Sequence, residues 1–130
     1  MNVSVLGCGR WGSFLAWYCS RLGYDVTLWG REGSRSYRML LEDRKNEYLT
    51  LTDKISLTNS LSQALANSET IIISISSQGL RDFVKNISVY NVSGKTFVLC
   101  MKGLEAGTGK RLSQVFSEEI GRKVELGIWV

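Results

Sequence analysis

The sequence predicts a doubly wound α/β domain, a mainly parallel sheet with helices on both faces, and three observations predict it. Short β-prone runs alternate with segments of helical periodicity, joined by short polar turns. Ile71, Ile72, Ile73 and Ile75 form an almost unbroken branched run, the pattern of a strand covered on both faces. No proline, internal repeat or low-complexity linker divides the 130 residues, so one domain is expected over 1–130.

Asn2 to Leu6 is a β-prone run that ends abruptly in glycines. From there the period changes: Trp11, Phe14, Leu15, Tyr18, Cys19 and Leu22 follow the i, i+3, i+4, i+7 rule of an amphipathic helix, which Gly23 stops. Asp25 to Trp29 alternates polar and apolar as a second strand, completing a β-α-β unit of about the shortest length that allows a parallel crossover. Gly33 to Glu47, charged with scattered Tyr37, Met39, Leu40 and Leu41, reads as a surface helix. Ile55 to Thr58 follows as a short strand and Ser60 to Ala66 as a short helix turning Leu61, Ala64 and Leu65 inward. Gln78 to Ile87 carries Leu80, Phe83, Val84 and Ile87 on one stripe and would cover the isoleucine strand. Phe97 to Met101 repeats the buried-strand pattern, and Leu112, Val115, Phe116 and Ile120 mark a last amphipathic helix. In such sheets ligands sit beyond the carboxyl ends of the strands. That places interest in the turns after Leu6, Trp29, Ile75 and Met101.

Composition narrows the function classes. An apolar share of 44% with 22% charged residues describes a globular chain rather than a disordered one. Sixteen Lys and Arg against 12 Asp and Glu give a net charge of +4, but the basic residues run from Arg10 to Lys123 with no cluster longer than a pair. A nucleic-acid stripe is therefore not expected, whereas a pocket for a phosphorylated small molecule fits. Cys8, Cys19 and Cys100 include no CxxC pair, and the chain has no histidine, so neither a disulfide framework nor a metal site is expected. The first residues lack the basic start of a signal peptide and no apolar run approaches the roughly 20 residues of a membrane span, so a cytoplasmic location is expected. Without histidine, any acid–base step falls to Lys, Asp, Glu, Tyr or Cys.

Gly7-Cys8-Gly9-Arg10-Trp11-Gly12 matches G-x-G-x-x-G where the motif has physical meaning, directly after a strand and opening a helix within a β-α-β unit. Gly7 permits the sharp turn, Gly9 removes a side chain that would block a pyrophosphate, and Gly12 lets helix and strand backbones approach. The phosphates then meet the unpaired amides and positive dipole end of the helix. At the end of the second strand stand Gly30-Arg31-Glu32. Arg31 can pair with a 2′-phosphate and stack on adenine, favouring NADP, whereas Glu32 could serve the 2′-hydroxyl of NAD. Lys102, after the strand Phe97 to Met101, stands where an ammonium could attract a phosphate or polarise a ketone oxygen. A redox role for Cys8 is conceivable near a helix N-terminus, but a small filler in the turn is the favoured reading. Trp11 sits where its ring could cover the nucleotide; Trp17, Trp29 and Trp129 read as core or interface.

Together these residues resemble the bacterial-type NAD(P)-dependent glycerol-3-phosphate dehydrogenases. The matching segments, in the family's order, are Val5 to Gly12, Val26 to Arg31, Asn46 to Leu49, Ser77 to Arg81 and Lys102 to Glu105, and the resemblance runs from the start to about Lys123. It implies an N-terminal Rossmann domain that binds NADP or NAD, for interconversion of dihydroxyacetone phosphate and glycerol 3-phosphate by hydride transfer. Gly7, Gly9, Arg10, Trp11 and Gly12 would form the pyrophosphate turn, Arg31 the adenosine side, and Lys102 a contact to both cofactor and substrate. In the family, the lysine that protonates the alkoxide belongs to a C-terminal helical domain. Here the sequence runs out at Val124 to Val130, so a chain unable to turn over alone is expected. Three positions depart from the pattern: Arg10 replaces a serine, Thr50 a proline after Tyr-Leu, and Ser76 a proline before Ser-Gln. The rival reading is a non-catalytic, redox-sensing dinucleotide module that associates with a second chain, using Ile128 and Trp129.

Overall fold

A computed structural model describes residues 1–121 and 123–129; Arg122 and the terminal Val130 lie outside the described residues. Six strands form one sheet: β1 (Asn2–Leu6), β2 (Asp25–Trp29), β3 (Ser56–Thr58), β4 (Thr70–Ile73), β5 (Thr96–Leu99) and β6 (Glu125–Ile128). Five helices connect them: α1 (Arg10–Arg21), α2 (Arg35–Asp43), α3 (Leu61–Asn67), α4 (Leu80–Ser88, after a 3₁₀ turn at Ser77–Gly79) and α5 (Leu112–Ile120). The strand order is β3-β2-β1-β4-β5-β6, and every pairing is parallel. This is the Rossmann order, in which the chain reverses direction across the sheet between β1 and β4.

Alternation along the strands sorts the core into two layers. Val3, Val5, Val26, Leu28 and Ile72 face Leu15, Ala16 and Cys19 of α1 and Leu40 of α2. Leu6, Ile71, Ile73, Phe97 and Leu99 face Ala64 and Leu65 of α3, Leu80, Val84 and Ile87 of α4, and Val115, Phe116 and Ile120 of α5. The isoleucine run thus serves both layers, as a strand without a polar face must. Ser4 points into the second layer, where its hydroxyl donates to the Ala64 carbonyl at 2.6 Å, so burial leaves it satisfied.

The strands end earlier than the sequence pattern suggests. Ile75 and Met101 lie beyond β4 and β5, which end at Ile73 and Leu99. The helix expected from Gly33 to Glu47 is confined to Arg35–Asp43: Ser34 caps it, accepting from the Tyr37 amide at 3.2 Å, and Arg44 ends it in the left-handed region. β6 is a strand that the pattern does not announce. Ile128 pairs with Leu99 inside the same chain, where the rival reading has it pairing with a second one.

Candidate functional site

The site grows from the end of β1. Gly7 turns at φ +115°, a conformation L-residues rarely adopt, and a Cβ there would lie 2.0 Å from the Ser74 carbonyl oxygen. Its amide donates to the Trp29 carbonyl at 2.9 Å, and Ser74 N–H donates to the Leu6 carbonyl at 2.9 Å, so β2, β1 and β4 are locked together where the turn begins. A Cβ on Gly12 would stand 1.8 Å from the Gly7 carbonyl oxygen, so α1 rests directly on the strand end. Gly9 differs. A Cβ there would meet nothing within 4 Å, and as the N-cap of α1 it offers no side chain to the first-turn amides.

These glycines open onto a cavity of about 570 Å³ at the β1–β4 switch point. Gly7, Gly9, Arg10, Trp11 and Gly12 line it from one side, Arg31, Ser34 and Ser36 from the end of β2, and Ser74, Ile75, Ser76, Gly79 and Phe83 from β4 and α4. Among the described residues, two guanidiniums and four serines face it and no carboxylate does. Trp29 packs against Phe83 in the wall, the ring centres 5.3 Å apart and the planes tilted by 43°, with its buried indole N–H unpartnered. The donor set, the open Gly9 position and the uncapped amides fit a dinucleotide diphosphate.

Six of the seven residues singled out from the sequence therefore come together. Lys102 does not line the cavity: it is exposed on the loop after β5, and its neighbour Gly103 stands where a Cβ would lie 3.8 Å from the Ser77 hydroxyl. That sets Gly103 near the turn that follows β4. Glu32 does not line the cavity either. Cys8 is buried beneath the turn, and burial pushes its thiol up to about 11 against the smaller opposing effects of a backbone hydrogen bond and Ser34, so it is a filler there rather than a thiolate.

Gly30, Ser34, Ser36 and Phe83 escaped the sequence reading as site residues. A Cβ on Gly30 would lie 2.6 Å from Cys8 Sγ and 2.6 Å from Tyr37 Cδ1, so only glycine lets α2 close against the turn. A serine before a helix was the one available signal for Ser34.

The model of the NAD-dependent glycerol-3-phosphate dehydrogenase N-terminus matches residues 2–130. The chain belongs to this family. The match is to the N-terminal part of those dehydrogenases. Among curated relatives, a glycerol-3-phosphate dehydrogenase, NAD(P)+, of Pelodictyon phaeoclathratiforme is 36% identical over 121 residues, covering 91% of this chain and 36% of the relative. One from a Thermoanaerobacter species is 33% identical over 128 residues, with 95% and 38% covered. The chain thus spans little more than a third of these relatives' length. The crystal structure of glycerol-3-phosphate dehydrogenase from Coxiella burnetii shares the fold at a TM-score of 0.85 and 23% identity, over 98% of this chain and 39% of that one. The enzyme from Saccharomyces cerevisiae does so at 0.81 and 23%, over 98% and 41%. Among the described residues, no helix of this glycerol-3-phosphate dehydrogenase domain is long and apolar enough to cross a membrane.

Proposed function

We propose that this chain is the nucleotide-holding part of an oxidoreductase that interconverts dihydroxyacetone phosphate and glycerol 3-phosphate, and that it prefers NADP to NAD. One observation carries the reading: the bare glycine turn opens onto a cavity faced, among the described residues, by two guanidiniums and no carboxylate. The uncapped amides of α1 take the diphosphate, and the absent side chain at Gly9 leaves the room. Arg31, with the hydroxyls of Ser34 and Ser36 beside it, offers charge and hydrogen bonds to a 2′-phosphate. Glu32, the group a 2′-hydroxyl would need, is not among the lining residues.

The bound nicotinamide supplies a hydride acceptor or donor. The chain's own residues bind it, hold its orientation and exclude water along the Trp29, Ile75 and Phe83 wall. Lys102, exposed on the loop after β5, is the cation available to attract a phosphorylated substrate. The residues around the cavity provide no proton donor near neutrality, the Cys8 thiol being pushed up to about 11 by burial. Binding without turnover is the expected behaviour of the 130 residues by themselves.

Calorimetric titration with NADPH and NADH tests this. NADPH is expected to bind about tenfold more tightly, and Arg31→Ala to remove that difference while weakening NADH much less than NADPH. Equal affinities for the two nucleotides in the parent chain would overturn the NADP preference, and no binding of either would overturn the function.

A further inference from the structure

Arg10 is the first residue of α1, where the helix end already carries partial positive charge, and no acidic residue stands in that first turn. None of the ion pairs among the described residues involves it. Its guanidinium lies instead 4.6 Å from the centre of the Tyr48 ring. Tyr48 is exposed and its ring is not held by the core, so something else must place it. Asn46 does so: its side-chain oxygen accepts from the Tyr48 amide at 2.9 Å and the Leu49 amide at 3.1 Å, while its side-chain N–H donates to the Ser13 hydroxyl at 2.9 Å. Ser13 in turn donates to the Arg10 carbonyl at 3.1 Å. The circuit closes on itself, from the Arg10 backbone through Ser13 and Asn46 to Tyr48 and back to the Arg10 side chain.

This circuit sits on a shared rim. Arg10 and Trp11 line both the nucleotide cavity and a neighbouring groove of about 370 Å³, whose other side is formed by Tyr48 and Leu49. We propose that Tyr48 is a positioning residue that holds the Arg10 guanidinium at the rim of the glycine turn, making Arg10 an added contact for the diphosphate of the dinucleotide. The inference rests on the reading of that turn as a dinucleotide seat. Its chemistry is that of a cation kept uncommitted: a carboxylate partner would neutralise it, whereas an aromatic face orients it and leaves its N–H donors in the ring-facing guanidinium's plane free for phosphate oxygens.

The test is NADPH affinity of the 130-residue chain at two salt concentrations, for Arg10→Ser, Tyr48→Ala, Tyr48→Phe and the Arg10→Ser/Tyr48→Ala double variant. Thermal melts would accompany them; both side chains are exposed, so folding should be untouched. Arg10→Ser is expected to weaken binding roughly tenfold and to flatten its salt dependence. Tyr48→Ala should lose a comparable factor, Tyr48→Phe should keep parent affinity because its ring face remains, and the double variant should be no worse than Arg10→Ser. Unchanged or tighter binding in Arg10→Ser or Tyr48→Ala overturns the proposal, as does additive loss in the double variant. Gly9→Ala separates the two levels. If it abolishes binding while the substitutions at 10 and 48 do nothing, only the positioning role fails; if the parent chain binds no NADPH, the dinucleotide seat fails and this inference with it.

Discussion

The turn from β1 into α1 and the loop from β5 into α5 leave the same edge of the sheet, yet they treat their polar groups in opposite ways. The first leaves them unmet: no side chain caps α1, and Gly9 stands open. The second spends them on itself. Glu105 N–H donates to the Lys110 carbonyl at 2.9 Å, and the Gln78 side chain bridges the Leu104 carbonyl at 3.0 Å and the Ala106 amide at 2.8 Å. Arg81 reaches both oxygens of Glu105, at 2.7 and 2.9 Å, and also Glu118 and Glu119. A turn that must receive an anion keeps donors in reserve, and a loop that must hold its shape does not. Lys102, exposed and outside the ion pairs among the described residues, is the exception that the second loop presents to its surroundings.

The largest effect that would sharpen this contrast is at Gly12. Gly12→Ala drives a Cβ into the Gly7 carbonyl and should destabilise the fold by roughly 3 kcal/mol or more, read by chemical denaturation. Gly9→Ala, three residues away, should stay within about 0.5 kcal/mol of the parent, since nothing meets its Cβ and its φ of −70° suits any L-residue. Equal losses at both positions would erase the distinction between a packed and a receptive glycine.

Next in size is Arg81. Its replacement by alanine leaves Glu105, Glu118 and Glu119 facing one another and should lower the melting midpoint at neutral pH. The Arg81 guanidinium, with help from the Thr108 hydroxyl, holds the Glu105 carboxyl down to about 2, below its ordinary 4.5. A depressed carboxylate stabilises the fold above its ordinary value and ceases to do so as acid titrates the folded form. The parent chain should therefore lose stability as pH falls from about 4.5 to about 2, and Arg81→Ala should lose much less over that window. Identical acid slopes would show that the cluster does not stiffen the loop. The smallest effect concerns Cys8, whose buried thiol, raised to about 11, should react with a thiol reagent at pH 7 far more slowly than in the denatured chain.

How much of this was legible follows from how local each feature is. The β1-α1-β2 unit and its glycines were readable because period, turn and helix start are written within about thirty consecutive residues. β6 was not, since Glu125–Ile128 carries a glycine and two half-buried residues and becomes a strand by pairing with β5. Arg81 and its carboxylates are 24 to 38 positions apart, and no spacing rule joins them. Ser34 enters the site as the cap of α2 and Ser36 from its first turn, and the charged run from Gly33 to Glu47 marks neither. Arg31 and the glycine turn lay where the motif put them, whereas Lys102, read by the same logic of strand ends, stands outside the cavity lining.

Gly30 ties three distant positions into one steric unit. Cys8 Sγ comes from the loop below, Tyr37 from the helix above, and both press on the face where any other residue would carry a Cβ. A lineage that enlarges position 30 must therefore give up the thiol at position 8 and also shift the α2 backbone, because the Tyr37 Cβ itself would stand 2.7 Å away and a smaller residue at 37 would keep it.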